Sequence, residues 1–389
     1  MRQLRHSFAP GISIGIVWLS FHWLSQWGAA HQLPAPGLFS LIVQGQLGVL
    51  LSIFGHELGH LLAGLVSGEM PRSFRAGPFR WELLNGRFSF DFDLRKFYSG
   101  AVSMVQPDLK TMRSRKAFSI MGGPAASLLL GSVCVVGALT AAGNSWEPFW
   151  MLLTMIGSCS LAAVFANLIP QKPEGAYADG AQLYQIVTNG PWAKVHLAFA
   201  MISTSAATQA RPREFDIDVI EDAAAIVSEG ERGLLLRLAA AEHYLDAGQV
   251  SAALVSMRAA ERLYDECTFD HPENLCAGFA FVNAFYKRDL ATAELWWDRI
   301  ESIRSVEIGA DYWRAWTALL WLKGEKEEAR EALHYGTDLA MRLPASGMHD
   351  FMRSCFENLR EALEEESRVT ESLGALAAAI VPSHAAAEA

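Results

Sequence analysis

From residue 6 to residue 56 the chain has no Asp, Glu, Lys or Arg. The same gap in charge recurs over residues 58 to 68, 117 to 146 and 148 to 171. A helix that crosses a bilayer needs ~20 consecutive apolar residues, so these stretches exclude an ordinary soluble protein and predict several membrane spans. Cysteine is scarce: Cys134, Cys159, Cys267, Cys276 and Cys355 form no C-x-x-C pair, which argues against a disulfide framework. The opening MRQLRHSF is followed by an apolar segment without a convincing small-residue cleavage site, so that segment reads as a retained first span.

Charge is present, but in the other half. Residues 1 to 170 carry 12 Lys+Arg against 7 Asp+Glu (+5), and residues 171 to 389 carry 20 against 35 (−15). No basic stripe with interleaved aromatics appears in the acidic half, which excludes nucleic acid as its partner. The reading is therefore a polytopic membrane core, residues 1–190, a linker over 191–214, a soluble domain over 215–370 and a low-complexity tail over 371–389.

Four spans are predicted: Pro10 to Gly28, Gly37 to Gly68, Ala117 to Ala142, and Pro148 to Ile169, where Pro170 stops the last helix. The loop over 68–117 holds 10 Lys+Arg, and Arg2 and Arg5 precede the first span, whereas the opposite turns have no basic residue. By the positive-inside rule both termini and the long loop are cytoplasmic. Within that loop, residues 78–84 and 87–94 flank Asn85-Gly86, a strong hairpin signal. Phe88, Phe90, Phe92 and Leu94 alternate with polar residues, so one face is apolar. Such a ribbon serves either as a packed connector or as an edge for an extended peptide.

From about Phe215 the pattern becomes amphipathic helices. Gly248 with Ala253, Arg288 with Ala293, and Gly324 with Ala329 recur at spacings of 40 and 36 residues. Each pair sits at a turn between two helices, loosely like tetratricopeptide hairpins. The expected class is mainly α: a membrane helical core with a β-hairpin in its cytoplasmic loop, and a C-terminal tetratricopeptide-like domain able to take a protein partner. Tyr244, Trp296, Trp297, Trp313, Trp316 and Trp321 fall at helical spacing and read as core.

The chemistry is concentrated in His56-Glu57-Leu58-Gly59-His60. Two His at i and i+4 lie on one helical face and can share a metal, with the Glu between them placed to activate water. Ionisable groups in an otherwise uncharged span mark a functional site by default. A catalytic zinc needs a third protein ligand and an open position. On the same side of the membrane the candidates are Asp179, Glu174, His196 and residues of the hairpin loop. Asp179 is preferred, because Asn167-Leu168-Ile169-Pro170 followed by Asp179-Gly180 places a polar residue, a helix breaker and an acid at the end of a span.

HELGH, Gly122-Gly123-Pro124 and Asn167-Leu168-Ile169-Pro170 with Asp179-Gly180 together resemble the three signatures of the site-2 protease family of intramembrane zinc metalloproteases. The resemblance covers about residues 38 to 185. It implies Zn2+ held by His56, His60 and Asp179, Glu57 as catalytic base towards a zinc-activated water, and Asn167 as a contact to the substrate backbone. It also implies a multi-pass protein of a bacterial inner membrane, acting on a membrane-embedded or membrane-tethered substrate. Two features depart from the family pattern. The interval from Asn167 to Asp179 is longer than usual, which keeps Glu174 as a second candidate ligand. The loop over 68–117 is too short for the peptide-binding domain of some relatives, which leaves substrate selection to another part of the chain. The alternative is an inactive relative that scaffolds partners through its helical domain, against which the intact Glu57 argues.

Overall fold

A computed structural model describes residues 37–84, 87–141, 147–169, 177–268, 272–301 and 308–380, and residues 15, 18, 19, 22, 25, 26, 29 and 30. The first expected span, Pro10 to Gly28, and the Asn85-Gly86 turn lie largely or wholly outside these residues, as does Glu174. The described chain is mainly helical and divides into two compact units, up to Thr204 and from Ser205.

In the first unit, α1 (Leu38–Val66), α2 (Met112–Ala141) and α3 (Glu147–Leu168) pack against one another, and each is long and apolar enough to cross a membrane. Their packing depends on small residues. A Cβ at Gly59 would overlap the Gly122 carbonyl oxygen and Ala126, and one at Gly122 would overlap the Gly59 carbonyl, so the two backbones touch. Close approach through glycine is how helices associate where lipid removes any hydrophobic drive.

Between α1 and α2 the chain forms an antiparallel sheet of four strands, two more than the sequence predicts: β1 (Met70–Ala76), β2 (Phe79–Leu84), β3 (Arg87–Phe92) and β4 (Gly100–Val105). Their order is β3-β2-β1-β4, which makes β3 and β4 the edges. The β2–β3 register pairs Trp81 with Phe90 and Leu84 with Arg87, as the hairpin reading requires. The sheet rests on α1 through Phe74, whose ring meets Phe54 edge-on at 5.6 Å. Phe88, Phe90 and Phe92 are exposed on one face of β3. Two shorter helices follow, α4 (Asp179–Thr188) and α5 (Pro191–Ala207). α5 occupies most of the expected linker; its buried Ala193, Leu197, Ala198 and Met201 follow helical spacing.

The second unit is a run of helices: α6 (Ile217–Ile226), α7 (Gly230–Asp246), α8 (Val250–Tyr264), α9 (Pro272–Phe285), α10 (Leu290–Glu301), α11 (Ala310–Lys323), α12 (Lys326–Arg342) and α13 (Gly347–Ile380). α7 packs with α8, α9 with α10, and α11 with α12. The turns that join these pairs each use a residue of left-handed backbone, Gly248, Arg288 and Gly324, at the recurring positions read from the sequence. Ala253, Ala293 and Ala329 are fully buried where each second helix meets the first. Arg288 adopts a conformation that favours glycine, and its guanidinium stacks 3.8 Å from the Trp321 ring centre. Trp296, Trp297 and Trp321 belong to the core, with Tyr244, Trp313 and Trp316 packed against it. Residues of the Ala-rich tail are helical as far as Ile380, and 381–389 lie outside the described residues.

Candidate metal centre

α1 turns an unusual face inward. Its buried residues are Gln44, Gly48, Ser52, His56, Glu57, Gly59 and Gly64, while Leu47, Leu51, Phe54 and Leu62 are exposed. The i, i+4 spacing brings the His56 and His60 rings together, 4.8 Å between centres and nearly perpendicular. Room for them comes from α2, where a Cβ at Gly123 would overlap His60 Nε2 and lie 2.8 Å from His56 Nε2. The Gly122-Gly123 pair thus has two separate steric duties, one against Gly59 and one against the histidines.

Each ring is anchored from behind. His56 Nδ1 lies 2.8 Å from Ser127 Oγ, and His60 Nδ1 lies 2.9 Å from the Ser119 carbonyl. A carbonyl oxygen only accepts, so a neutral His60 that donates through Nδ1 would have its Nε2 lone pair free for a metal. Orientation of a metal-binding imidazole by its other nitrogen is the usual outer-shell arrangement. Both Nε2 atoms face one carboxylate oxygen, Asp179 Oδ2, at 3.0 Å from His56 and 3.4 Å from His60, and they lie 3.2 Å from each other. A tetrahedral ion with bonds of about 2.1 Å holds its ligand atoms about 3.4 Å apart, so this triangle fits zinc. Among the described residues this is the group of three His, Cys, Asp or Glu able to hold a metal.

Asp179 reaches the site as the first residue of α4, where the helix N-terminus favours an acid. The following Gly180 permits α4 to start against the end of α3, since a Cβ there would overlap the Leu168 carbonyl. Asp179 thus meets the two histidines although twelve residues separate it from Asn167 in the sequence. Burial alone would raise the Asp179 carboxyl, but hydrogen bonds with His56 and His60 outweigh it and hold it down at about 2.

The three residues open into a cavity of about 460 Å3 that Glu57, Lys116, Asn167 and Tyr177 also line. Glu57 packs against β4, where a Cβ at Gly100 would overlap its carboxylate. Gly100, Ala101 and Val102 line the same cavity, and β4 pairs with β1 on its other side. A strand that has no second strand partner among the described residues thus borders the site. Asn167 sits in the last turn of α3, its amide donating to the Ala163 carbonyl at 3.0 Å. His196 is elsewhere, lining a neighbouring cavity on α5. Sequence reasoning missed Ser119, Ser127, Lys116 and Gly100. A signal for two of them existed, because Ser119, Gly123 and Ser127 recur every fourth residue on one face of α2.

No family model, no curated protein and no solved structure matches the chain.

Proposed function

We propose that this protein is an intramembrane zinc endopeptidase of the site-2 protease type, which hydrolyses a peptide bond of a membrane-embedded or membrane-tethered protein near the cytoplasmic face. The observation that carries this reading is the convergence of His56 Nε2, His60 Nε2 and Asp179 Oδ2 beside Glu57, within helices apolar enough to cross a membrane. A zinc ion held by these three would supply Lewis acidity towards a peptide carbonyl and the water that attacks it.

The remaining steps fall to the chain's own groups. Glu57 takes a proton from the attacking water as the water oxygen bonds to the carbonyl carbon, and passes that proton to the leaving amine as the C–N bond breaks. Asn167 holds the substrate backbone. A transmembrane helix hides its amides in its own hydrogen bonds, so it is cut only where it has unwound. The edge of β4 offers such an unwound segment a ladder of backbone partners beside Glu57. The core has four spans with both termini in the cytoplasm, and the helix pairs from α7 to α12 form a tetratricopeptide-like module that selects a protein partner.

The test is to express Glu57→Gln in the native membrane and identify proteins that accumulate uncut relative to wild type. Membrane-embedded or tethered proteins are expected among them. If wild type and variant leave identical proteins, the chain is an inactive scaffold; if only soluble proteins accumulate, the intramembrane reading fails.

A further inference from the structure

β4 leads from the metal cavity into a second one, of about 190 Å3. Val102 and Lys116 line both, whereas Arg72, Gln106, His196 and Ser203 line the second alone. Among the described residues that line it there is no Asp or Glu. Its positive charge comes from Arg72, beside which Lys116 offers a further amine donor. His196 adds none, because burial, reinforced by the nearby Lys116, holds its imidazole down at about 3.

Two features mark this as a built site. Pro71 pairs with Met104 and Ser73 with Ser103, so Arg72 is an extra residue with no place in the ladder. A bulge of this kind re-aims the side chain it carries. Gln106 is 3% exposed, and neither its amide nitrogen nor its amide oxygen has a hydrogen-bond partner among the described residues. Its backbone is fixed, since Thr204 Oγ donates to its carbonyl at 3.0 Å. A buried amide left without a partner is rare in a folded protein and needs a reason.

We infer that the second cavity takes the side-chain carboxylate of a substrate Asp or Glu, held by Arg72, Lys116 and the Gln106 amide. The inference rests on the peptidase reading, because the ligand is delivered along β4. An extended peptide advances about 3.3 Å per residue, in step with the strand beside it. From Gly100, against Glu57, the strand reaches Val102 after two residues, and Gln106, six residues on, directly follows its last residue, Val105. The acidic residue therefore lies about two to six positions from the cut bond, on one side of it. Donors that converge on a carboxylate from an amine, a guanidinium and an amide give charge-assisted hydrogen bonds, the strong class.

The experiment digests a randomised pool of C-terminally amidated peptides with the zinc-loaded, detergent-solubilised full chain and reads the cut sites by mass spectrometry. Amidation removes the chain-end carboxylate as a source of the same charge. Wild type is expected to favour Asp or Glu over Asn or Gln at one such position by about tenfold. The preference is lost in Arg72→Gln and in Gln106→Glu, with zinc content checked in each to confirm an intact metal site. Cutting without an acidic preference, or a preference unchanged in both variants, overturns the subsite and leaves the peptidase reading standing. Cutting no greater than that of Glu57→Gln overturns the peptidase reading. A second arm then needs no turnover: immobilised Glu57→Gln chain retains acidic peptides over their amide counterparts, and additional Gln106→Glu removes the difference. Equal retention of the two overturns the subsite whether or not peptides are cut.

Discussion

The two units use the same element and pack it inside out. In the first, α1 buries Gln44, Ser52, His56, Glu57 and three glycines and exposes Leu, Ile and Phe. In the second, α9 buries Cys276, Phe279, Phe281 and Val282, and α12 buries Ala and Leu while presenting Glu and Arg outward. In water, burial of apolar surface drives packing, so large side chains go inside. In lipid that drive is absent, and the inside is free for small residues and for the polar groups that function requires. A polar buried face on an apolar helix is therefore a functional signal in the first unit, whereas a buried ring in the second is ordinary core.

Truncating a phenylalanine in each unit is the strongest way to break this contrast. Phe279→Ala in α9 is expected to destabilise the second unit by about 3–5 kcal/mol, because it empties a fully buried position. Phe39→Ala on α1, 81% exposed, is expected to cost under about 1 kcal/mol in a bilayer, since the side chain faces lipid in either state. Equal costs, measured by hydrogen exchange of the two helices, would remove the distinction.

Glycine gives a contrast of opposite sign. Gly59→Ala places a Cβ against the Gly122 carbonyl and is expected to destabilise the first unit by about 2 kcal/mol, with loss of zinc affinity as α1 and α2 separate. Gly278→Ala, within α9 and with nothing within 4 Å of the added Cβ, is expected to stabilise by about 0.5–1 kcal/mol. Denaturation midpoints check both signs.

Between these lies a pH effect confined to the second unit. Burial pushes the Glu242 carboxyl from 4.5 up to about 7 against the pull of Arg314. A folded-state value above the unfolded one means that the unfolded chain ionises first as pH rises. Stability is then fully present below about pH 4.5 and falls, by on the order of 3 kcal/mol, as pH approaches about 7. Glu242→Gln is expected to flatten that part of the profile of α7, the helix that carries it, measured by exchange corrected for intrinsic rates. A wild-type profile already flat there contradicts it.

Much of this was legible in the sequence, for identifiable reasons. Spacing alone places His56 and His60 on one face, and a helix breaker followed by an acid favours Asp179 over His196, with Glu174 left open as a second candidate. The hairpin was legible because its two strands are neighbours around Asn85-Gly86. β1 was not: Met70 to Ala76 contains Pro71 and two Arg without alternation, and its second partner, β4, begins at Gly100. The linker expected over 191–214 overlooks Pro191, which opens α5, and the helical spacing of its Ala and Leu. In the second unit the left-handed turns were legible at Gly248 and Gly324, while Arg288 is recognisable only by its place in the repeat. The steric duties of Gly100 and Gly123 belong to pairs distant in sequence, which no local pattern encodes.

The central claim is a zinc site closed by Asp179 among apolar helices. Its most direct test is the zinc content of purified wild type, Asp179→Ala and Glu174→Ala by elemental analysis. About one zinc per chain is expected in wild type and Glu174→Ala, with loss in Asp179→Ala. Full zinc in Asp179→Ala, or none in wild type, contradicts it.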